Sequence, residues 1–181
     1  MKNRSISIRT LTYLALLIAL EVVLNRFCSI NTPVLKIGFS FVPIVAAAYL
    51  FGPLHAAAVY ALADLAGALL FPIGAYHPGF TFSAALMGLS WGVFLHTLRR
   101  RLPEERGVRA FLTVLCPALI NNVAVGLLLN TFWLTMIVGG KTYGGLVLYR
   151  IPEYAVLIVL QVILTPVIIK MCRQLRDVIF K

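Results

Sequence analysis

Apolar residues follow one another along this chain in long runs, and charged residues are confined to short clusters between the runs. Three stretches contain no Asp, Glu, Lys or Arg, namely residues 37–63, 65–98 and 110–140. Each is longer than the roughly 20 apolar residues that cross a bilayer as a helix. The pattern therefore predicts a protein embedded in a membrane and excludes a water-soluble fold.

Charges, prolines and glycines interrupt the apolar runs and divide the chain into six predicted helices. Their expected bounds are Thr10–Phe27, Ile37–Phe51, Pro53–Phe71, Gly79–Leu98, Ala110–Val138 and Ile151–Cys172. No internal repeat, low-complexity segment or linker divides the sequence. We therefore expect an all-α integral membrane protein, a bundle of six transmembrane helices that forms a single domain over residues 1–181.

The composition agrees with this prediction, because 61% of the residues are hydrophobic and only 12% are charged. A soluble domain carries charge on roughly 25% of its residues. The net charge of +10 would suggest a nucleic-acid partner in a soluble protein. Here the positions of the basic residues give it another meaning, and no nucleic-acid partner is expected.

The basic residues divide unequally between the two sides of the predicted bundle. If both termini are cytoplasmic, that side holds twelve of them: Lys2, Arg4, Arg9, Arg99, Arg100, Arg101, Arg106, Arg109, Lys170, Arg173, Arg176 and Lys181. The other side keeps four: Arg26, Lys36, Lys141 and Arg150. The positive-inside rule therefore predicts a multi-pass protein of the plasma membrane with its N- and C-termini in the cytoplasm.

No catalytic or metal-binding signature is visible in the sequence. It lacks a P-loop, an HExxH and a GxSxG, and its three cysteines form no CxxC pair, so ATP hydrolysis, metal binding and a disulfide framework are not expected. An enzyme would have to use Asp64 and Glu21 as an acid/base pair. We expect a protein that binds something without a cofactor and without its own energy source.

Once the orientation is assumed, most polar side chains inside the helices fall in the outer half of the bilayer. They are Glu21, Asn25, Arg26, Ser40, Asp64, Thr81, Ser83, Asn130, Trp133, Arg150, Glu153 and Tyr154. Each ionisable group at membrane depth costs at least about 2.5 kcal/mol, so such groups face a partner or a cavity. They could pair as interhelical glue, but their number at one depth favours an aqueous pocket open to the outside. Asn121 and Asn122 lie deeper, and either packing or a place on the pocket floor remains open for them.

Aromatic residues gather near the external helix ends: Phe39, Phe41, Tyr76, Phe80, Phe82, Trp133 and Tyr143. Together with cations they suit a ligand that has a flat ring and an anionic end. The external connections Ser29–Leu35, Pro72–Pro78 and Gly139–Tyr149 are rich in Pro and Gly. They are either mobile loops that close over a ligand or ordinary short connections.

Two small residues, Ala15 and Ala19, lie one turn apart on one face of the first predicted helix. Small residues at this spacing let two helices approach closely. The face serves either packing within the chain or contact with a partner helix.

Several short segments, taken in order, resemble the S-components of energy-coupling factor (ECF) vitamin transporters, and within them the folate-type branch. These are residues 25–27 (NRF), 35–43 (LKIGFSFVP), 51–53 (FGP), 64–65 (DL), 70–74 (LFPIG), 78–84 (PGFTFSA) and 129–134 (LNTFWL), with Arg150. The resemblance touches all six predicted helices. It implies a substrate-binding subunit and not an enzyme.

In this family the S-component binds its vitamin from outside and associates with a transmembrane coupling (T) subunit that two cytoplasmic ATPases drive. Transport is thought to involve toppling of the whole S-component in the membrane. The resemblance therefore implies high-affinity folate binding, with Ala15 and Ala19 on the face that contacts the coupling subunit. The alternatives are an S-component for riboflavin, thiamine or pantothenate, and a structural membrane protein with no transport role.

The resemblance also suggests roles for particular residues. Arg26, Lys36 and Arg150 would bind the folate carboxylates or the pterin carbonyl. Phe39, Phe41, Phe80 and Trp133 would stack on the rings, and Asp64, Thr81 and Asn130 would hydrogen-bond the pterin edge. The connection Pro72–Pro78 and the first external connection match the proposed gates of this family, and His77 lies in the former. Tyr143 completes the predicted set. Glu153 would oppose an anionic ligand unless it pairs with Arg150.

Overall fold

The computed structural model describes residues 7–31, 34–101, 107–138, 140 and 142–179, and these are nearly all helical. The elements are α1 (Ile8–Arg26), β1 (Ser29–Asn31), β2 (Lys36–Gly38), α2 (Phe41–Phe51), α3 (Pro53–Leu70), α4 (Pro78–Arg101), α5 (Val108–Leu119), a π-helical segment (Ile120–Leu129), α6 (Asn130–Ile137) and α7 (Tyr143–Ile179). Part of the orientation prediction rests on residues outside the described ranges, namely Lys2, Arg4, Arg106, Lys141 and Lys181.

Five stretches of helix in the described chain are long and apolar enough to cross a membrane: Ile8–Arg26, Pro53–Leu70, Pro78–His96, Val108–Ile137 and Tyr143–Arg176. The helix α2 is apolar but has only 11 residues. At 1.5 Å per residue it extends about 16 Å, roughly half of the ~30 Å hydrocarbon core. The protein is therefore a multi-pass helical membrane protein with one short central helix.

The second predicted helix was placed too early, at Ile37, because residues 36–38 are a strand. In the structure β2 pairs antiparallel with β1, with Ile30 opposite Ile37, and α2 begins only at Phe41. The all-α prediction is correct apart from this hairpin. A short apolar run between turn residues fits a strand and a buried helix equally well, so the sequence pattern did not separate the two.

The last predicted helix was placed too late, because α7 begins at Tyr143 and not at Ile151. Most of the loop predicted over Gly139–Tyr149 is therefore helix. Arg150 and Pro152 both lie inside α7. A proline is tolerated there because neighbouring helices can satisfy the carbonyl group that the missing N–H leaves free.

The fifth stretch, Val108–Ile137, agrees with its prediction to within a few residues but is not a uniform α-helix. Ten of its residues, Ile120–Leu129, form the π-helical segment, which begins three residues after Pro117. A π-helix closes hydrogen bonds from i to i+5 and is often found at functional sites. It changes the direction in which every later side chain of this stretch points.

The helices alternate in direction, so the end of α1, α3 and α6 and the start of α2, α4 and α7 come together. We call this the cavity end. The hydrophobic core occupies the opposite part of the bundle around α2, where Ile44, Ala47 and Ala48 have no exposed surface. Because α2 is short and the hairpin replaces its missing turns, the cavity end is left unfilled by core side chains.

Candidate ligand-binding cavity

A cavity of about 500 Å³ opens at the cavity end. Its walls come from α1, the hairpin, α2, α3, the connection after α3, α4, the π-helical segment, α6 and α7. Small-molecule sites measure about 300–1,000 Å³ and combine apolar walls with a few convergent polar groups. The size and the number of contributing elements both fit a site for one organic molecule.

Most of the site residues predicted from the sequence line this cavity. They are Arg26, Lys36, Phe41, Asp64, Phe80, Asn130 and Arg150. The carboxylate of Glu153 lies in the same wall. The prediction that polar groups of separate helices meet at one end therefore agrees with the geometry, and the cavity contains both cations and carboxylates.

Lys36 lies in β2, outside the membrane-spanning helices. The pKa of its ammonium group falls from 10.5 to about 8, because burial and the nearby Arg26 guanidinium lower it more than Glu21, Asp64 and Glu153 raise it. An anionic ligand stabilises the charged form of Lys36, because its negative charge offsets the loss of hydration that burial causes.

The guanidinium of Arg150 donates hydrogen bonds to three protein groups. Its Nε donates to Glu153 Oε2 at 3.2 Å, one Nη donates to Thr131 Oγ1 at 2.9 Å, and the other donates to the Tyr154 hydroxyl at 2.6 Å. The group also lies over the Tyr154 ring, 5.1 Å from its centroid. The second oxygen of Glu153 accepts the main-chain N–H of Lys36 at 3.0 Å. The expected pairing of Glu153 with Arg150 is thus present.

Asp64 is connected to the segment between α3 and α4. The Thr81 hydroxyl donates to Asp64 Oδ2 at 2.7 Å, and the Tyr76 hydroxyl lies 2.9 Å from the same Thr81 oxygen. Thr81 therefore supports the cavity from behind Asp64, while Tyr76 and its neighbours Pro72 to Ala75 form part of the cavity wall.

Trp133 and His77 form a stacked pair beside the cavity, with ring centroids 5.2 Å apart and planes 23° apart. The indole N–H of Trp133 donates to Ser83 Oγ at 3.1 Å, and His77 Nδ1 accepts the main-chain N–H of Gly79 at 3.1 Å. Neither ring is among the cavity-lining residues. The pair holds the segment before α4 against α6.

Two residues of the predicted set point away from the cavity. Phe39 is 43% exposed and borders a separate shallow groove beside Ile30 and Leu160. The Tyr143 hydroxyl donates to the carbonyl of Leu128 at 3.2 Å, and 42% of this side chain is exposed. Phe41, two residues after Phe39, is buried against the cavity, so the direction of each ring depends on where the hairpin ends.

Amide side chains form another part of the cavity wall. Asn122 donates through Nδ2 to Gln161 Oε1 at 2.6 Å and to the Ala118 carbonyl at 2.7 Å. Both amides line the cavity, as does Asn130. Two places were open for Asn121 and Asn122, packing between helices or the cavity floor. Asn122 lies at the floor, whereas Asn121 does not line the cavity and donates to the Met87 carbonyl at 3.3 Å.

Sequence reasoning did not single out Tyr60 and Gln161, although both line the cavity. A periodic signal was present for each. Tyr60 precedes Asp64 by four residues, and Arg150, Tyr154, Leu157 and Gln161 recur at intervals of three and four along α7. These spacings place the residues on one helix face.

Below Arg26, the fully buried Glu21 accepts a hydrogen bond from Asn25 Nδ2 at 2.7 Å. Among the described residues, Glu21 Oε2 and Arg26 Nε have no hydrogen-bond partner. The guanidinium of Arg26 lies against Gly67 of α3 and lines the cavity. Arg26 Nε is therefore an unused donor, whereas Arg150 Nε donates to Glu153.

A multi-pass helical membrane protein with a polar and aromatic cavity at one end of the bundle belongs to the class of membrane proteins that bind small organic molecules. Comparison with known proteins identifies the family within this class. The family model for the substrate-specific component of ECF transporters matches residues 9–169. The chain belongs to this family, and it is therefore a transporter component and not an enzyme.

Relatives and a solved structure agree with this assignment. The chain is 39% identical over 132 residues to the folate transporter FolT of Clostridium novyi (strain NT), which covers 73% of this chain and 72% of the relative. It is 33% identical over 130 residues to FolT of Leuconostoc mesenteroides, covering 71% of this chain and 64% of the relative. A crystal structure of FolT bound with folic acid superposes with a TM-score of 0.75 at 30% identity, covering 88% and 91% of the two chains.

Proposed function

We propose that this chain is the folate-binding S-component of an ECF-type importer. Two relatives named as folate transporters and the fold shared with FolT bound to folic acid support folate as the ligand. The observation that carries the proposal is the cavity, which combines cations, aromatic walls and amide groups in one space of about 500 Å³. Folate needs all three, since it has carboxylates at one end and flat rings with hydrogen-bonding edges at the other.

The arrangement of groups suggests how folate lies in the cavity. Arg26 and Lys36 lie beside the hairpin and suit the carboxylates, while Asn122, Asn130 and Gln161 suit a ring edge that carries both donors and acceptors. Phe41 and Phe80 also line the cavity, and we propose that they contact the rings. For Phe39 and Tyr143, which point away, we propose a role only in the surroundings of the site.

Transport needs partners that this chain does not contain. We propose that it associates with a transmembrane T subunit and two cytoplasmic ATPases, and that it delivers the vitamin by toppling in the membrane. The proposed contact face includes Ala15 and Ala19, which are both exposed on α1. Small exposed residues one turn apart allow a partner helix to approach closely.

We further propose that residues 1–181 form one domain in the plasma membrane, with both termini in the cytoplasm and the cavity facing outward. The described part of the chain carries Lys170, Arg173 and Arg176 at the end of α7, opposite the cavity end. This distribution of cations agrees with the positive-inside rule.

The test is calorimetric titration of the purified, ligand-free protein with folic acid, riboflavin, thiamine and pantothenate. We expect tight binding of folic acid alone. Binding of one of the other vitamins instead would assign the chain to a sibling branch, and heat from none of them would favour a structural role.

Two variants show whether the binding occurs in this cavity. Replacement of Arg26 by Gln removes a cation from the cavity wall and should weaken folic acid binding about tenfold or more, the value of a charge-assisted hydrogen bond. The matched control is Lys170→Gln, which removes an exposed cation at the other end of the bundle and should leave the affinity unchanged. Equal affinities in the two variants would exclude Arg26 from the site.

A further inference from the structure

The hairpin β1–β2 forms one wall of the cavity, through Val34, Leu35, Lys36 and Gly38. Each of its strands has only three residues. A two-stranded hairpin of this size has little stability of its own in water. Its position over the cavity must therefore depend on contacts with the helices.

Within the described residues, a side-chain contact to the main chain joins each strand of the hairpin to a helix. At β1, the Ser29 hydroxyl donates to the Asn25 carbonyl at the end of α1. At β2, the main-chain N–H of Lys36 donates to Glu153 Oε1 of α7 at 3.0 Å. The first contact joins residues four positions apart, whereas the second joins residues 117 positions apart and ties the hairpin to α7.

Contacts that do not involve the hairpin already hold the Glu153 side chain in position. It is 4% exposed, and its other oxygen accepts the Nε–H of Arg150. One N–H of each Nη group of Arg150 donates to Thr131 or Tyr154, so α6 and α7 together hold the guanidinium. A carboxylate oriented this way presents one oxygen to the hairpin at a set distance and direction.

We propose that Glu153 is a positioning residue that latches the hairpin against α7 and thereby slows release of the bound ligand. This inference rests on the proposed function for the identity of the ligand, but the latch itself exists without ligand. Arg150 orients Glu153 in this arrangement, and Arg26 and Lys36 lie in the wall of the same cavity. When the hairpin opens, the Lys36 N–H separates from the carboxylate, and the wall formed by residues 34–38 moves away from the cavity.

The test measures two quantities on the purified full-length protein: amide hydrogen exchange at Lys36 without ligand, by NMR in nanodiscs, and the rate of release of labelled folic acid after an excess of unlabelled folic acid is added. In Glu153→Ala we expect exchange at Lys36 and release each to become roughly ten to a hundred times faster, as loss of a hydrogen bond to a charged acceptor implies. The association rate should change less than the release rate.

Glu153→Gln guards against a variant that fails to fold, because it keeps the shape and one acceptor oxygen while it removes the charge. It should give intermediate values for both quantities. Lys36→Met is the matched control for exchange, since it keeps the main-chain donor and should retain protection at position 36 even if ligand binding weakens.

Unchanged release in a folded Glu153 variant would overturn the proposal. Faster release with full protection at Lys36 would overturn it too, because Glu153 would then act on the ligand and not on the hairpin. If the wild type binds no folic acid, the proposed function fails, and exchange at Lys36 in the ligand-free protein still decides whether the latch exists.

Discussion

Lys36 illustrates how one residue serves the site through two different groups. Its main-chain N–H donates to Glu153, while its ammonium group lies in the cavity near Arg26. A substitution of the side chain therefore leaves the hairpin contact available. This separation allows the charge of Lys36 to be tested without disturbing the wall that carries it.

The pKa of about 8 at Lys36 predicts a pH dependence of binding. An anionic ligand stabilises the ammonium form, so this pKa is higher in the complex than in the free protein. Above pH 8 binding must then take up a proton, and the dissociation constant should rise by up to about tenfold per pH unit. Titrations at pH 7, 8 and 9 measure this slope.

The matched variant for this experiment is Lys36→Arg, because arginine stays protonated throughout this range. Its affinity should change much less between pH 7 and 9. An equal slope in both proteins would mean that another group, in the protein or in the ligand, takes up the proton.

Gly67 determines where the Arg26 guanidinium lies. A Cβ added at Gly67 would lie 2.8 Å from Arg26 Nε, so Gly67→Ala must displace the end of this flexible side chain. Alanine favours a helix over glycine by about 1 kcal/mol, so thermal stability should stay the same or rise. Folic acid affinity should nevertheless fall about tenfold, the value of a charge-assisted contact.

A double-mutant cycle with Arg26→Lys checks this explanation. Lysine lacks the guanidinium that meets the new methyl group, so Gly67→Ala should cost little affinity in that background. Additive losses in the double variant would show that Gly67 acts independently of Arg26.

At the scale of elements, α3 and α4 approach each other closely. Cβ atoms at Gly88 and Gly92 would collide with main-chain atoms of Ala56 and Pro53. Main-chain atoms cannot move aside as a side-chain tip can. These two glycines therefore determine the distance between α3 and α4. Both helices contribute residues to the cavity wall, so this distance also affects the shape of the cavity.

Gly88→Ala should lower the stability of the fold by about 1–3 kcal/mol, the usual cost of overpacking a core. Thermal unfolding in detergent measures the change. The matched control is Gly144→Ala in α7, where a new Cβ meets nothing within 4 Å. A variant at Gly88 as stable as the control would contradict the close packing of α3 and α4.

At the scale of the whole molecule, binding and transport should depend on different surfaces. The cavity lies at one end of the bundle, whereas Ala15 and Ala19 lie exposed along α1. Neither alanine lines the cavity. A change at this face can thus interrupt coupling without reaching the ligand.

Replacement of Ala15 and Ala19 by leucine should abolish folate uptake in cells that express the complete importer, because the larger side chains keep a partner helix away. The purified variant should bind folic acid as the wild type does. Ala155→Leu, at an exposed alanine of α7, is the control and should keep both activities. Normal uptake by the Ala15 and Ala19 variant would remove this face from the coupling surface.

The sequence by itself determined the membrane-spanning helices and the end of the bundle at which polar groups meet. Both follow from local properties, since the length of an apolar run sets a span and the position of a residue along its helix sets its depth. The sequence therefore assigns Asp64, Asn130 and Arg150 to the same end of the bundle, where the structure shows all three in the wall of one cavity.

Only the tertiary structure decided which way each side chain points and what it contacts. Residues 36–38 pair with β1 because a neighbouring strand is present, and this turns Phe39 away from the cavity while Phe41 lines it. Depth is a property of one helix, but side-chain direction and hydrogen-bond partners depend on how several helices pack. The network that joins Lys36, Glu153, Arg150 and Thr131 has no signature in any single segment for that reason.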